Sequence, residues 1–237
     1  MVVKDIEKYA HGLWGLRDLT TYTSSIWSAG ALTLINENRE FNFIHDKYGF
    51  RKDNDEFGKR VAFGCSHTYG FEIPKENTWA FLLNATNFGV TGGSPQTIAR
   101  LVKAWIPNSH VEEILILMPE KSRREIYNPH THTYTALLPW MLDQFSRTVY
   151  TEPSPDPEGK RIMRFCEEFP HLNVMDEEKN ESIFEECVDV IKRHVGDRKL
   201  ILKTMDDVPE YDWMSRDHSH NGENWHRKVA QIFQKDL

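Results

Sequence analysis

Two segments far apart in the chain hold the residues whose types could do chemistry together. Gly64-Cys65-Ser66-His67-Thr68-Tyr69-Gly70 follows the apolar run Val61-Ala62-Phe63, and Asp217-His218-Ser219-His220 comes much later. A serine hydroxyl is a weak nucleophile alone. It needs an imidazole within hydrogen-bond reach, and that imidazole needs a third group to hold its tautomer. Asp217 and His220 can supply both from one loop. Taken locally, Gly-x-Ser also fits a plain strand-to-helix turn in which Ser66 only caps the next helix. The motif is not the nucleophile elbow Gly-x-Ser-x-Gly, since position 68 is threonine. It is not a phosphate-cradling loop either, since no Lys-Ser or Lys-Thr follows Gly70.

For these groups to meet, the elements between them must bring both segments to one rim. Strands covered by helices on both faces read as unbroken apolar runs. Residues 61–63, 114–118 and 200–202 are such runs, and residues 85–90 and 172–175 are weaker candidates, which makes about five strands. Helical patterns alternate with them. Ser94-Pro95 reads as an N-cap and first-turn proline, with Ile98, Leu101, Val102 and Trp105 on one face and Pro107 beyond the end. Ser182 and Glu185 read as a capping box, Ile183, Phe184, Cys187, Val188 and Ile191 as an apolar face, and Gly196 as a stop. Trp225, Val229, Ile232 and Phe233 predict a last amphipathic helix. Residues 136–149 predict another helix, and residues 151–159 a proline-rich loop.

This alternation implies right-handed crossovers, a mostly parallel sheet and an α/β fold, with ligands bound beyond the carboxyl ends of the strands. Ser66, Gly92 and the pair Asp217 and His220 each follow a strand and so point to the same rim. Residues 1–57 read as an N-terminal extension whose Trp14, Leu16, Leu19, Trp27 and Leu32 pack on the core, and residues 58–237 as the main domain.

Three segments carry a family resemblance. Phe63-Gly64-Cys65-Ser66-His67-Thr68-Tyr69-Gly70, then Asn87-Phe88-Gly89-Val90-Thr91-Gly92, then Asp217-His218-Ser219-His220 resemble blocks I, II and V of the SGNH, or GDSL, hydrolase superfamily, in that order. Tyr48-Gly49-Phe50-Arg51 resembles the Gly-Phe-Arg element that precedes block I in some members, phage-encoded ones among them. The resemblance implies a three-layer α/β/α flavodoxin-like fold and a serine esterase that removes an acyl group, often acetyl, from a carbohydrate or lipid through an acyl-enzyme. It makes Ser66 the nucleophile, His220 the base and Asp217 its orienting partner. It also makes the N–H groups of Ser66 and Gly92 two oxyanion donors, and glycine at 92 allows the positive φ of a close turn.

Two departures stand beside these matches. Block III of the family is Gly-x-Asn-Asp, whose asparagine is a third oxyanion donor, but here Met118-Pro119-Glu120-Lys121-Ser122-Arg123-Arg124 occupies that place. Ser122, Arg123 or Arg124 could substitute, although arginines in such a run also read as a solvated charge cluster. Cys65 stands where the family has aspartate and reads as a small buried residue rather than a nucleophile. A non-catalytic carbohydrate-binding or structural module that keeps the fold is one alternative. Acyl transfer to another alcohol, using the same residues, is a second.

Asp217, His218, His220 and His226, with His130 and His132, offer ligands for zinc or a similar ion, so a metal-dependent hydrolase is the chemical rival. The triad already accounts for Asp217 and His220, and neither a metal nor an organic cofactor is expected. Tyr69, Trp79, Tyr127, Tyr134 and Trp140 could form a sugar-stacking wall or belong to the core. With 29 basic and 36 acidic residues, a net charge of −7, no basic stripe suits nucleic acid. The apolar stretches at residues 26–35 and 114–118 are too short to span a bilayer, and residues 1–19 carry charges throughout. Neither signal peptide nor anchor is expected, and the chain reads as cytoplasmic. Cys65, Cys166 and Cys187, an odd number without Cys-x-x-Cys spacing, suit a reducing compartment. The expected partner is a small-molecule or carbohydrate ester.

Overall fold

The computed structural model describes residues 21–23, 42–44, 50–51, 57–70, 73–128, 133–139, 163, 166–168, 173–208 and 221–237. The apolar runs form one parallel sheet. Strand β3 (Arg60–Gly64) lies between β4 (Thr86–Gly89) and β5 (Glu113–Leu117), and β5 pairs in turn with β8 (Lys199–Lys203), giving the order β4-β3-β5-β8. Gly64 stands opposite both Gly89 and Leu117, and Leu117 opposite Lys203, so the carboxyl ends of all four strands are level. Two antiparallel pairs lie outside this sheet: β1 (Thr21–Thr23) with β2 (Asn42–Ile44), and β6 (Arg124–Asn128) with β7 (Thr133–Leu137).

Helices cover both faces because both sets of alternate strand residues are apolar. On one face Val61, Phe63, Ile114 and Ile116 meet Ile98, Leu101 and Val102 of α3 (Pro95–Trp105) and Phe184 and Ile191 of α4 (Glu177–Val195). On the other, Ala62, Leu115, Leu117 and Ile201 meet Trp79 of α2 (Trp79–Leu82) and Trp225, Val229 and Phe233 of α5 (Glu223–Gln234). Each fully buried side chain of this size contributes about 1.5–3 kcal/mol. Among the described residues no helix is long and apolar enough to cross a membrane.

The structure corrects three expectations. Among the described residues the parallel sheet has four strands rather than about five, since Asn173, Val174 and Met175 form a turn whose Asn173 Oδ1 accepts from the Met175 N–H at 3.0 Å. The following Asp176 is the N-cap of α4, its carboxylate accepting from the Lys179 N–H at 3.0 Å, so this helix begins well before Ser182. Glu177 and Glu178 in the first turn complement the helix dipole, a start encoded by capping and charge rather than by apolar period. Ala136 and Leu137 end strand β7 instead of opening a helix, paired with Glu125 and Arg124 of β6. Gly196 does close α4, at φ +62°. The expectations for Trp14, Leu16, Leu19, Trp27, Leu32 and residues 151–159 lie outside the described residues.

Candidate active site around Ser66

The turn that carries Ser66 exists because two strand residues lack side chains. A Cβ on Gly64 would come within 1.9 Å of Thr68 Oγ1 and 2.8 Å of the Leu117 carbonyl, and one on Gly89 within 2.1 Å of the Tyr69 nitrogen. Helix α1 (Ser66–Tyr69) is thereby laid directly across the ends of β3 and β4. Cys65, not Ser66, occupies the N-cap position, and its carbonyl accepts from the Thr68 and Tyr69 N–H groups at 2.9 Å each. Ser66 is therefore not the capping residue but the first residue of the helix.

Neighbouring groups hold α1 from two sides. The Asn87 amide donates to the Thr68 carbonyl at 2.8 Å and accepts from the Gly89 N–H at 2.7 Å. From below, the buried Arg51 guanidinium donates to the carbonyls of Tyr69, Gly70 and Ile73 at 3.2, 2.5 and 2.6 Å. Burial lowers the pKa of Arg51 to about 10, which leaves it a cation at neutral pH. The Gly-Phe-Arg element thus clamps the segment that follows Ser66.

The second loop abuts the first. Val90 donates to the Gly64 carbonyl at 2.9 Å, Gly93 donates to the Val90 carbonyl at 3.0 Å, and Gly92 adopts φ +71°. A Cβ on Gly93 would lie 3.6 Å from the Cys65 Cα, so the loops of Ser66 and Gly92 touch. Ser94 then caps α3 through a capping box with Thr97, with Pro95 in the first turn.

The third loop, after β5, carries an ion pair between Glu120 and Arg123. Arg123 N–H donates to the Glu120 carbonyl at 3.2 Å, closing a turn that pairs the two side chains. Arg123 is 5% exposed, and its Nη1 lies 3.5 Å from the Gly93 carbonyl. Burial opposes charge on Glu120, but Arg123, hydrogen bonding and His67 together outweigh it and hold the carboxyl below its ordinary value. Arg124 turns the other way: it donates to the carbonyls of Lys121 and Arg123 at 3.0 and 3.2 Å and to Asn180 of α4. Both arginines are buried, so they are not a solvated cluster, and Arg124 does not serve the rim. Ser122 stays half-buried on the turn. Burial pushes the Cys65 thiol up, with Arg123 pulling weakly the other way, in keeping with a packed neutral side chain.

Asp217, His218 and His220 lie outside the described residues, as do His130, His132 and Trp140. The chain is described again from Asn221, which follows His220 in sequence. Asn221 is buried, and its Nδ2 lies 3.4 Å from His67 Nδ1, with Trp225 packed 5.5 Å from the His67 ring. The residue after His220 thus sits against the residue after Ser66. His226 is a core histidine: its Nδ1 accepts from the Trp79 N–H at 3.1 Å, joining α5 to the start of α2. Among the described residues no three His, Cys, Asp or Glu side chains gather to hold a metal ion. Trp79 is wholly buried and stacked 4.7 Å from Phe233, and Tyr69 is buried too, so these two belong to the core rather than to a sugar wall.

Asn87, His67, Asn221 and Glu120 escaped the sequence reading. Only Asn87, two residues before Gly89, left a local trace. A cavity of about 640 Å³ opens toward the amino ends of the strands, lined by Arg60, Thr86 and Glu113 and also by Arg51 and Asn87, which hold α1. No protein-family model matches this chain, and no curated protein matches it.

Proposed function

We propose that the protein is a serine esterase of the SGNH type, cleaving an acyl ester through an acyl-enzyme within a three-layer, flavodoxin-like domain. The observation that carries this reading is the meeting of three loops at one rim: Ser66 at the head of α1, Gly92 at positive φ beside it, and Asn221, next to His220, against His67. His220 takes the Ser66 proton as Oγ bonds to the acyl carbon, and returns it to the leaving alcohol as the ester bond breaks. Water then repeats the sequence in reverse, with Asp217 holding the imidazole throughout. The N–H groups of Ser66 and Gly92 stabilise the oxyanion. Because the base must be neutral, kcat/KM falls as acid protonates the imidazole.

A fluorophosphonate probe and p-nitrophenyl acetate test the reading. Wild type is expected to take the label and turn over the ester, while Ser66→Ala takes no label and loses about 10⁴-fold or more in kcat. Labelling that survives Ser66→Ala, or a wild type that neither labels nor hydrolyses, rejects it. The absence of the block III asparagine favours the second reading, a carbohydrate-binding module without catalysis, which an unlabelled but glycan-binding protein would support.

A further inference from the structure

Block III of the SGNH pattern places an amide donor where the third strand's loop meets the rim, and this chain has an arginine there. We propose that Arg123 is the third oxyanion donor, a catalytic residue whose guanidinium, aligned by Glu120, donates to the oxygen that becomes negative when Ser66 attacks the ester. This rests on the reading of Ser66 as nucleophile.

Placement supports it first. Arg123 reaches the carbonyl of Gly93, the residue after the proposed donor Gly92, and Gly93 packs on Cys65, the residue before Ser66. Arg123 and Glu120 both act electrostatically on Cys65, and His67 acts on Glu120, in keeping with an ion pair beside the Ser66 loop. Selection among neighbours supports it second. Arg124 is committed to Asn180 and two carbonyls on the side of α4, and Ser122 is the half-buried middle of the turn.

Chemistry supports it third. A guanidinium carries five N–H donors in a rigid fork, so one side chain can hold a carboxylate, a carbonyl and a developing oxyanion together. As Ser66 Oγ bonds to the acyl carbon and its proton passes to His220, the carbonyl π pair moves onto oxygen, where Arg123 meets it with a charge-assisted bond. When that pair re-forms the carbonyl, the alkoxide leaves and takes the proton from His220. The arginine gains and loses no proton. Glu120 is a positioning residue, fixing the fork and offsetting its charge in the ground state.

The test compares Arg123→Met and Arg123→Gln in the full chain. Both remove the ion pair with Glu120, but only glutamine keeps a neutral N–H donor, at about the reach of Arg123 Nε. Arg123→Met is expected to lose about 10²–10³-fold in kcat with KM within a few-fold, and Arg123→Gln to keep clearly more of it. Ethylguanidinium at millimolar concentration should restore part of the kcat of Arg123→Ala. Where an unpaired Glu120 prevents folding, the double variant E120M/R123M replaces the buried pair by apolar side chains and should show the same loss of kcat. Wild-type kcat in Arg123→Met or in the double variant, or no rescue by ethylguanidinium, overturns the role of Arg123. A wild type with neither label nor esterase activity overturns the serine-esterase reading and this proposal with it, whereas a labelled, active wild type beside an unimpaired Arg123→Met overturns this proposal alone.

Discussion

Glu120 holds a negative charge where burial opposes one, and its neighbours decide the outcome. Arg123 and His67 favour the ionised form strongly enough to keep the carboxyl below its ordinary value of 4.5. A carboxyl lowered by folding stabilises the protein fully above its unfolded value, and that contribution disappears as pH falls through the lower folded value. Removing the carboxylate as Glu120→Gln should therefore lower the urea midpoint most at about pH 6 and least at about pH 3. Equal losses at both pH values would show that the pair contributes nothing through its charge. Cys65 illustrates the opposite balance, since burial, joined by the charge of Glu120, raises its thiol against the pull of Arg123. The sequence reading foresaw the burial of Cys65, whereas the pairing of Glu120 with Arg123 cannot be read from neighbours one or two positions away.

At the scale of elements, the site depends on how closely a four-residue helix can approach two strand ends. Asn87 and the Arg51 guanidinium bind the carbonyls of residues 68, 69, 70 and 73, so α1 is held by polar contacts on both sides. Gly89 makes that approach possible, because any Cβ there would overlap the Tyr69 nitrogen and the Thr68 carbonyl carbon. Gly89→Ala must push α1 off the sheet, at a cost of about 1–3 kcal/mol in denaturant unfolding, and should lower kcat with it by displacing Ser66. A variant with unchanged stability and unchanged turnover would show that α1 tolerates the shift. The cap of α3 was easier to foresee: Ser94 accepts from the Thr97 N–H in the N-cap place its sequence implied, since an N-cap is a local device that needs no distant partner.

For the whole molecule, the sheet separates two apolar layers, and the second of them ties the rim to the end of α5. Trp225 is wholly buried among Trp79, Val229 and Phe233, and its ring lies 5.5 Å from that of His67. Trp225→Ala should cost about 3–5 kcal/mol in urea unfolding, with a loss of kcat beyond what partial unfolding explains, because His67 and Asn221 lose their packing support. Retained stability would mean that α5 is dispensable to this layer. The four strands of the parallel sheet, the N-cap of α3, the apolar faces of α3, α4 and α5, and the stop at Gly196 were legible in the amino-acid order. Each is written in residues within a few positions of one another, whose periodicity and backbone preferences act locally. The turn at residues 173–175, the Asp176 start of α4, the inward Arg123 beside the outward Arg124, His226 as a partner of the Trp79 N–H, and Asn221 against His67 were not. The turn and the Asp176 cap are local devices that apolar periodicity does not carry, whereas the other three depend on contacts between residues tens of positions or more apart, which only the folded chain brings within reach.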